Sequence, residues 1–358
     1  MNFEKKLKIN KRIISLDNST YFIADIAANH DGSLSRAKDL IFLAKECGAD
    51  AVKFQHFVAE NIVSDFGFKS LKKIKTHQEK WKKSVFEIYK KNSLNRNWNL
   101  ELIKTAKKAK IDWLTTPYDY EAVDNLNKYL PAYKIGSGDI TWLEFIKYIA
   151  LKKKPLLIAV GASSFNDVDR VLKLVYKINK KICLMQCNTN YTGSSENFKY
   201  ININVLKTFK KKFKNIILGL SDHTPGHTTV LGSIALGARV VEKHFTDKNS
   251  RNGPDHLFSM NPKTWKKMVE QTRILENSLG DGKKKIELNE QESSIIQRRS
   301  IRLNRKLKKG TKIEEKFLVY LRPCPKNGLS PYQRYKILGK KLIRDLDEED
   351  IVNCKNTR

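Results

Sequence analysis

The sequence has few cysteines, no long apolar run and a shortage of acidic residues. Its five cysteines form an odd set without a CxxC pair, which argues against a disulfide framework or a zinc site and favours reduced thiols. No apolar run approaches the roughly 20 residues that a membrane helix needs. No apolar block follows the basic residues of the first twenty positions, so we expect a cytoplasmic protein without a secretory signal or a membrane partner.

Asp and Glu number 38 against 69 Lys and Arg, which gives a formal net charge of +31. Such an excess raises the question of nucleic acid or another polyanion as a partner. The lysines are spread along the whole chain, however, and no recognition motif or aromatic-interleaved basic stretch goes with them. We therefore expect a solvated lysine-rich surface and no nucleic-acid partner. A polyanion-binding protein is kept as an alternative.

What the sequence does contain is a series of eight short β-rich runs, with helical patterns between most of them. This alternation predicts an α/β protein with a parallel sheet, and the count of eight favours a closed (β/α)₈ barrel. A doubly wound open sheet is the alternative, although no GxGxxG turn supports it. The predicted strands are 21–27, 50–55, 111–116, 132–136, 155–160, 182–187, 215–220 and 238–243.

Two parts of the chain depart from the barrel rhythm. Residues 57–96 separate the second strand from its helix, far more than the ~2–6 residues usual for such a connection, so we predict a lid or binding loop there. We expect a last helix over 263–280, and after it the sequence pattern predicts short strands and turns. We therefore expect a barrel domain over 1–285, a linker over 286–294 and a small separate domain over 295–358.

Polar residues cluster where the predicted strands end, and in a parallel barrel these ends form one mouth. Residues two apart share a face of a strand. On that basis the mouth receives pairs from the second, seventh and eighth strands, namely Lys53 with Gln55, Ser221 with His223, and Glu242 with His244. Further polar residues at other strand ends are Asp25, Thr116, Lys134, Ser137 and Asp139.

A single histidine at a strand end is usually a hydrogen-bonded structural residue. Two on neighbouring strand ends, in a mouth that also holds lysines and carboxylates, indicate instead that His223 and His244 share a metal ion. Lysines inside strands are costly to bury without an anion. We therefore interpret Lys53 and Lys134 as anion ligands, the alternative being that both extend to the surface.

Five stretches, in order, make the sequence similar to the sialic acid synthase family: IADIAANHDGSLSRAKDLIFLAKECGADAVKFQ, PAYKIGSGD, GLSDHTPGHT, ALGARVVEKHFT and GPDHLFSMNP. The tail, with RRSI, KKGTKI, RPCPKNGLSP and LGKKLIRDL, resembles that family's antifreeze-like (SAF) domain. The resemblance covers essentially the full length. It implies a (β/α)₈ TIM barrel followed by a small C-terminal antifreeze-like domain.

The resemblance also implies an activity. The family condenses phosphoenolpyruvate with the open-chain aldehyde of a 2-acetamido sugar, which releases phosphate and gives a nine-carbon 3-deoxy-2-keto acid, as in N-acetylneuraminate synthases. It implies that phosphoenolpyruvate is bound through its phosphate and carboxylate by Lys53, Lys134, Ser137 and Ser221, with Gln55 and Thr116 nearby.

Further roles follow from the same resemblance. It implies a Mn²⁺ or Mg²⁺ ion on His223 and His244 as Lewis acid. It implies proton transfer near C2 by Asp25, and places Asp255 in the metal and sugar site. Arg322 matches an arginine that the tail of one protomer inserts into its partner's active site, so we expect a domain-swapped homodimer.

Several residues depart from the family pattern and leave the sugar open. Aspartate stands at Asp25 and at the sugar-contacting Asp139, where the family usually has glutamate. In the loop QCNTNYT, Tyr191 fits the family pattern and Thr189 fits it only loosely. The resemblance leaves both N-acetylmannosamine and the 2,4-diacetamido sugars of the legionaminic and pseudaminic type open as acceptors. A lysine Schiff-base aldolase that uses Lys53 or Lys134 is the alternative on the same barrel.

Overall fold

The computed structural model describes residues 1–71, 78, 81 and 83–358. The chain divides into two compact units, Met1–Gly280 and Asp281–Arg358. The division thus falls at Gly280, whereas the sequence led us to place the end of the barrel domain at residue 285. Within the described residues, no helix combines the length and the apolar character needed to cross a membrane.

The first unit begins with an antiparallel hairpin, β1 (Leu7–Ile9) and β2 (Arg12–Ile14). Eight further strands follow it along the chain. All eight lie within about two residues of the predicted runs. They are β3 (Tyr21–Asp25), β4 (Ala51–His56), β5 (Asp112–Pro117), β6 (Tyr133–Ile135), β7 (Leu156–Ala159), β8 (Ile182–Cys187), β9 (Ile217–Asp222) and β10 (Ala238–His244).

These eight strands form one sheet whose ladders run in the order β5-β4-β3-β10-β9-β8-β7-β6, and every ladder is parallel. Within the described residues no ladder joins β5 to β6, but the two strands lie next to each other. The sheet therefore curls into a near-closed barrel. This confirms the predicted (β/α)₈ architecture and excludes the doubly wound open sheet.

Helices pack around the outside of this barrel. Ser33 caps the first of them by accepting a hydrogen bond from the Arg36 N–H at 3.3 Å. In the described residues of the first unit the helices are α1 (Leu34–Glu46), α2 (Ala59–Ile62), α3 (Asp65–Ser70), α4 (Val85–Asn92), α5 (Asn99–Ala109), α6 (Tyr120–Leu126), α7 (Leu143–Leu151), α8 (Phe165–Tyr176), α9 (Val205–Lys212), α10 (Thr228–Ala235) and α11 (Pro262–Ser278). Short 3₁₀ helices lie at Ala27–His30, Arg96–Trp98, Ser137–Asp139 and Ser195–Tyr200.

The long excursion after β4 contains α2, α3 and α4 rather than an irregular loop. Part of it, at 72–77, 79, 80 and 82, lies outside the described residues, so its role as a lid stays a prediction.

Side chains alternate across the barrel wall, and this alternation sets the position of the mouth. One set packs between the strands and the helices, whereas Tyr21, Ile23 and their counterparts fill the interior. The interior cluster also contains Leu7, Ile9 and Ile14 of the β1–β2 hairpin, all 1% exposed or less. The hairpin thus closes the N-terminal end of the barrel with apolar residues. The cavity opens at the other end, where polar residues at the C-terminal ends of the strands line it.

The second unit contains a small antiparallel sheet of β11 (Ser300–Leu303) and β12 (Leu318–Leu321), together with α12 (Gln291–Ile296) and 3₁₀ helices at Leu288–Glu290, Glu315–Phe317 and Pro331–Lys336. Its own core includes Ile301, Leu303, Ile313, Ile337 and Leu342. The predicted small C-terminal domain is therefore present. Helix α12 begins inside the segment that we assigned to a linker, and the detailed likeness to an antifreeze-like domain stays a prediction.

Candidate active site

A cavity of about 340 Å³ opens at the C-terminal ends of the barrel strands, large enough for a small ligand. Most of the predicted site residues line it. These are Asp25, Lys53, Gln55, Thr116, Lys134, Ser137, Asp139, Tyr191, Ser221, His223 and His244. Asp255 lines a smaller pocket that shares Gln55, Tyr191 and His244 with this cavity.

Two predicted residues stand apart from the lining of this cavity. Thr189 does not line it; its Cγ2 instead lies 2.6 Å from the position that a Cβ on Gly161 would occupy. A larger residue at position 161 would therefore displace the loop after β8, which carries Thr189. Arg322 is exposed and follows β12 in the second unit.

Lys53 and Asp25 form a buried ion pair on the floor of the cavity. Nζ of Lys53 lies 2.7 Å from Oδ2 of Asp25 and 3.1 Å from Oγ1 of Thr116. Gln55 donates to the same Asp25 oxygen at 3.1 Å, and the Ala27 N–H donates to the other at 3.1 Å. Burial alone lowers the pKa of Lys53, but the nearby carboxylates, Asp25 first, outweigh it and raise that pKa. The amine is therefore held as an ammonium.

Glu242 lies between the two lysines and is the main residue to which the sequence led us to give no role. Its Oε1 is 3.4 Å from Nζ of Lys134, 3.9 Å from Nζ of Lys53, and accepts a hydrogen bond from Ser221 at 3.2 Å. Its Oε2 is buried without a hydrogen-bond partner among the described residues. The sequence pattern already places Glu242 in the mouth, because it lies two residues before His244 on the same face of β10.

The two histidines meet at the rim of the same cavity, with ring centroids 5.5 Å apart. Nδ1 of His223 lies 2.8 Å from the Asn188 carbonyl oxygen. This carbonyl can only accept, so we assign the proton to Nδ1, which leaves a lone pair on Nε2. Burial lowers the pKa of His223; burial first, and then the neighbouring His223 ring and the Lys53 ammonium, lower the pKa of His244 well below its usual value. Both shifts favour the neutral imidazole, the form that binds metals.

His244 has a free nitrogen. Its Nδ1 is buried without a hydrogen-bond partner among the described residues and lies 3.8 Å from Oδ2 of Asp255, while Nε2 lies 3.6 Å from Oδ2 of Asp25. The 5.5 Å between ring centroids is within the span of two imidazoles that share one ion through bonds of about 2.1 Å. In the described residues no group of three or more His, Cys, Asp or Glu is placed to hold a metal. Water or substrate oxygens would have to complete the coordination of an ion on this pair.

Two carboxyl groups near the cavity have raised pKa values. Burial raises the pKa of Asp255 to about 7, although a hydrogen bond from the Ala28 N–H opposes it. Burial likewise raises the pKa of Asp139 to about 6, and the Lys134 charge opposes that shift. Carboxyl groups that titrate near neutral pH in a cleft are typical of sites that bind or transfer protons.

A polar network behind the site fixes the loop that carries Asp255. His256, fully buried, contacts Asp31 through Nε2 at 2.9 Å and Thr246 through Nδ1 at 2.8 Å. A Cβ on Gly253 would lie 2.6 Å from the His256 ring, so the tight approach requires glycine there. The sequence did not reveal this network because its members are far apart in the chain.

Comparisons with known proteins give a consistent picture. Residues 40–284 match the NeuB family. The chain is 36% identical to the N,N'-diacetyllegionaminic acid synthase of Campylobacter jejuni over 93% of this chain and 98% of that protein. It is 31% identical to a pseudaminic acid synthase of the same bacterium over 92% and 94%. The solved N-acetylneuraminic acid synthetase of Leptospira borgpetersenii, in complex with citrate, has a TM-score of 0.71 at 25% identity over 82% of this chain and 96% of its own.

Proposed function

The chain belongs to the NeuB family, and from that premise we propose that it condenses phosphoenolpyruvate with the open-chain form of a 2-acetamido or 2,4-diacetamido hexose. The products are a nine-carbon sialic-type acid and inorganic phosphate. The observation that carries this proposal is the composition of one cavity, which two buried lysines and two buried histidines line together.

The lysine side of the cavity suits a dense anion. Lys53 and Lys134 are 2% and 3% exposed, and Ser137 and Ser221 line the same wall with their hydroxyl groups. Charge-assisted hydrogen bonds from buried ammonium groups are among the strongest that a protein offers a phosphate or carboxylate. We therefore place phosphoenolpyruvate on this side.

The histidine side suits the sugar. Gln55, Tyr191 and His244 line both the main cavity and the pocket that contains Asp255. Amide, phenol and carboxyl groups can donate to and accept from sugar hydroxyl and acetamido groups. The aldehyde carbon would then lie between the two halves of the cavity, within reach of C3 of phosphoenolpyruvate.

Nε2 of His223 and a ring nitrogen of His244 would hold a Mn²⁺ or Mg²⁺ ion. When bound, such an ion supplies Lewis-acid polarisation of the aldehyde oxygen. The neutral rings and the unpartnered Nδ1 of His244 fit this role.

Asp25 is placed to move the proton that the condensation requires. The C2–C3 π electrons of phosphoenolpyruvate form the bond from C3 to the aldehyde carbon, and the aldehyde oxygen takes up a proton. Water adds at C2 and gives one proton to Asp25, which balances the proton taken up by the aldehyde oxygen. The other water proton leaves with phosphate when the C2–O bond breaks to give the keto group. The Asp25 carboxylate, oriented by Lys53 and Gln55, would take the proton from the water. A positioned carboxylate of this kind typically contributes about 10²–10⁴-fold to a rate.

The Schiff-base alternative receives less support from the geometry. An aldolase lysine must be an unprotonated amine to attack a carbonyl. Lys53 is paired with Asp25 at 2.7 Å and its pKa is raised, and Lys134 lies 3.4 Å from Glu242. The Asp25 contact favours the ammonium form of Lys53, and a Schiff base on either lysine makes no use of the two histidines.

The decisive experiment is phosphate release from phosphoenolpyruvate with a panel of 2-acetamido and 2,4-diacetamido hexoses. We expect release only with an acceptor present, with one sugar class preferred and no release from a sugar-free control. If every sugar is inert, while borohydride traps a pyruvate adduct on Lys53 or Lys134, the aldolase is the correct assignment.

We also propose that Arg322 acts across a domain-swapped homodimer, as the family resemblance implies. A guanidinium can bind a carboxylate or carbonyl oxygen through a rigid donor fork, and Arg322 is exposed on its own unit. Mixing Arg322→Ala chains with His244→Ala chains should restore part of the activity, because one site of the heterodimer keeps both residues. A mixture that stays inactive after demonstrated subunit exchange would refute this arrangement.

A further inference from the structure

Two charged residues, Asp222 and Lys243, are sequence neighbours of the two histidines but face the other side of the sheet. Side chains alternate along a strand, so His223 and His244 face the cavity while Asp222 and Lys243 face the layer between barrel and helices. The β9–β10 ladder pairs Lys243 with Asp222 directly. The two charges therefore meet behind the histidines.

This pair is buried and extensively hydrogen-bonded. The side chains of Lys243 and Asp222 are 1% and 0% exposed, with Nζ 2.5 Å from Oδ2. Lys243 also donates to the Thr224 carbonyl oxygen at 2.7 Å. Asp222 accepts hydrogen bonds from the Thr224 N–H at 3.1 Å and from the Thr229 hydroxyl at 2.7 Å. The residues on both sides of His223 are thus tied to the residue that precedes His244.

The orientation of His244 depends on this backbone connection. The Asn188 carbonyl oxygen holds the ring of His223, but Nδ1 of His244 has no hydrogen-bond partner among the described residues. Its ring packs against Phe258 and Tyr191, with centroids 4.9 and 6.2 Å apart, and its nitrogens lie 3.6 and 3.8 Å from the Asp25 and Asp255 carboxylates, beyond hydrogen-bonding distance. The place of the His244 ring relative to His223 therefore depends in part on β10, the strand that Lys243 anchors.

We propose that Asp222 and Lys243 are a positioning pair that holds the two imidazoles at the separation and direction needed to share one divalent ion. This inference rests on the proposed function, since it takes His223 and His244 as the metal ligands. Neither Asp222 nor Lys243 touches substrate or ion. Groups that orient metal ligands from behind typically change metal affinity by about 10–100-fold when removed.

A purely structural role would predict a different outcome. Desolvating two charges offsets most of their attraction, so an apolar pair of similar volume is often equally stable or more stable. If the pair serves stability alone, an apolar replacement should leave metal binding unchanged. If the pair positions the histidines, the apolar replacement should keep the fold and lower the affinity for the metal ion.

The test is Mn²⁺ binding, measured from the electron paramagnetic resonance signal of the free ion, on the full-length Asp222→Leu/Lys243→Met protein. We expect a wild-type or higher melting temperature and a Kd weakened by about 10–100-fold, with activity partly recovered in excess Mn²⁺. Wild-type affinity in a folded double variant would overturn the proposal.

A matched control is Tyr21→Phe, which removes a partly buried hydrogen bond to Asp112 at the opposite end of the barrel. It should lower the melting temperature without changing Mn²⁺ affinity; an equal loss of affinity there would mean that any loss of stability weakens the site, and would count against positioning.

If the double variant does not fold, the Mn²⁺ affinity of Thr229→Val provides the test. This substitution removes only one hydroxyl donor to Asp222, and we expect Mn²⁺ affinity to fall a few-fold, whereas unchanged affinity would overturn the proposal. His244→Ala separates this inference from the proposed function. If that variant still binds Mn²⁺ normally, the metal assignment itself is wrong.

Discussion

The two ends of the barrel hold polar groups in opposite ways. At the N-terminal end, the half-buried Asp112 carboxylate accepts hydrogen bonds from the buried Tyr21 and the exposed Asn10, both at 2.6 Å, beside an apolar plug that includes Ile9. At the C-terminal end, Glu242 keeps one buried oxygen without a partner among the described residues. The Asp112 carboxylate finds its partners within the protein, whereas Glu242 leaves an oxygen for a ligand.

This difference matters because an unsatisfied buried polar group costs roughly 1–3 kcal/mol of stability. Such groups persist where a ligand completes their hydrogen bonding. The unpartnered atoms Glu242 Oε2 and His244 Nδ1 both belong to the mouth of the barrel. Variants at the mouth should therefore change ligand binding and turnover, and variants at the N-terminal end should change stability.

The largest effect on turnover is expected from the histidines. His223→Ala or His244→Ala should lower kcat by about 10³-fold or more, because Lewis-acid stabilisation is worth several kcal/mol. Chelation of the wild type should abolish phosphate release and Mn²⁺ should restore it. Circular dichroism and the melting temperature should stay close to wild type, because the neutral rings make few structural hydrogen bonds. Full activity in metal-free buffer would contradict the assignment.

The opposite end provides the matching stability variant. Ile9 is fully buried in the β1–β2 hairpin, and Ile9→Ala should lower the free energy of unfolding by about 2–5 kcal/mol through lost burial and a residual cavity. Urea unfolding measures this change. The KM for phosphoenolpyruvate, assayed well below the melting temperature, should be unchanged. An altered KM would show that the two ends are coupled and would weaken the comparison.

A pair of lysines sharpens the same comparison. Lys134 lies at the mouth beside Glu242, and Lys154 lies just before β7 at the N-terminal end, where it donates to the Leu130 carbonyl oxygen at 2.6 Å. Lys134→Met should weaken phosphoenolpyruvate binding by about 10–100-fold, since a hydrogen bond to a charged group is worth about 1.5–3 kcal/mol. Lys154→Met should affect stability alone. Unchanged phosphoenolpyruvate kinetics in Lys134→Met would make that lysine structural.

Local patterns in the sequence predicted the strands and the mouth, because alternation and strand-end position are properties of short segments. They placed Lys53, His223 and His244 together correctly. They did not predict that Glu242 lies between two lysines, or that Thr189 packs near Gly161 outside the cavity lining. Such contacts depend on how separate strands curl around one another. Nothing in a single strand reports that curvature.

The smallest expected effect concerns Asp139, a mouth carboxyl group whose pKa burial raises to about 6. If its carboxylate accepts hydrogen bonds from the sugar, the KM for the sugar should fall by up to about tenfold as pH rises from 5 to 7, the value of a charge-assisted contact. In Asp139→Asn, the KM for the sugar should not change between pH 5 and 7. As a control, Asp124→Asn should keep the wild-type change in KM, because hydrogen bonds from Lys152 and Tyr148 lower the pKa of the Asp124 carboxyl below this pH range.

Stability should respond to the same titration with the opposite sign. A carboxyl group whose pKa is raised on folding contributes stability below its unfolded pKa and loses it as pH rises through the folded value, here about 6. Relative to Asp139→Asn, the wild type should therefore be less stable to urea at pH 7.5 than at pH 5, while it binds sugar better at pH 7.5. If the Asp139 carboxylate serves to bind a ligand, stability should fall and sugar affinity should rise as pH increases. If sugar affinity and stability rise together, Asp139 is a structural residue of the mouth.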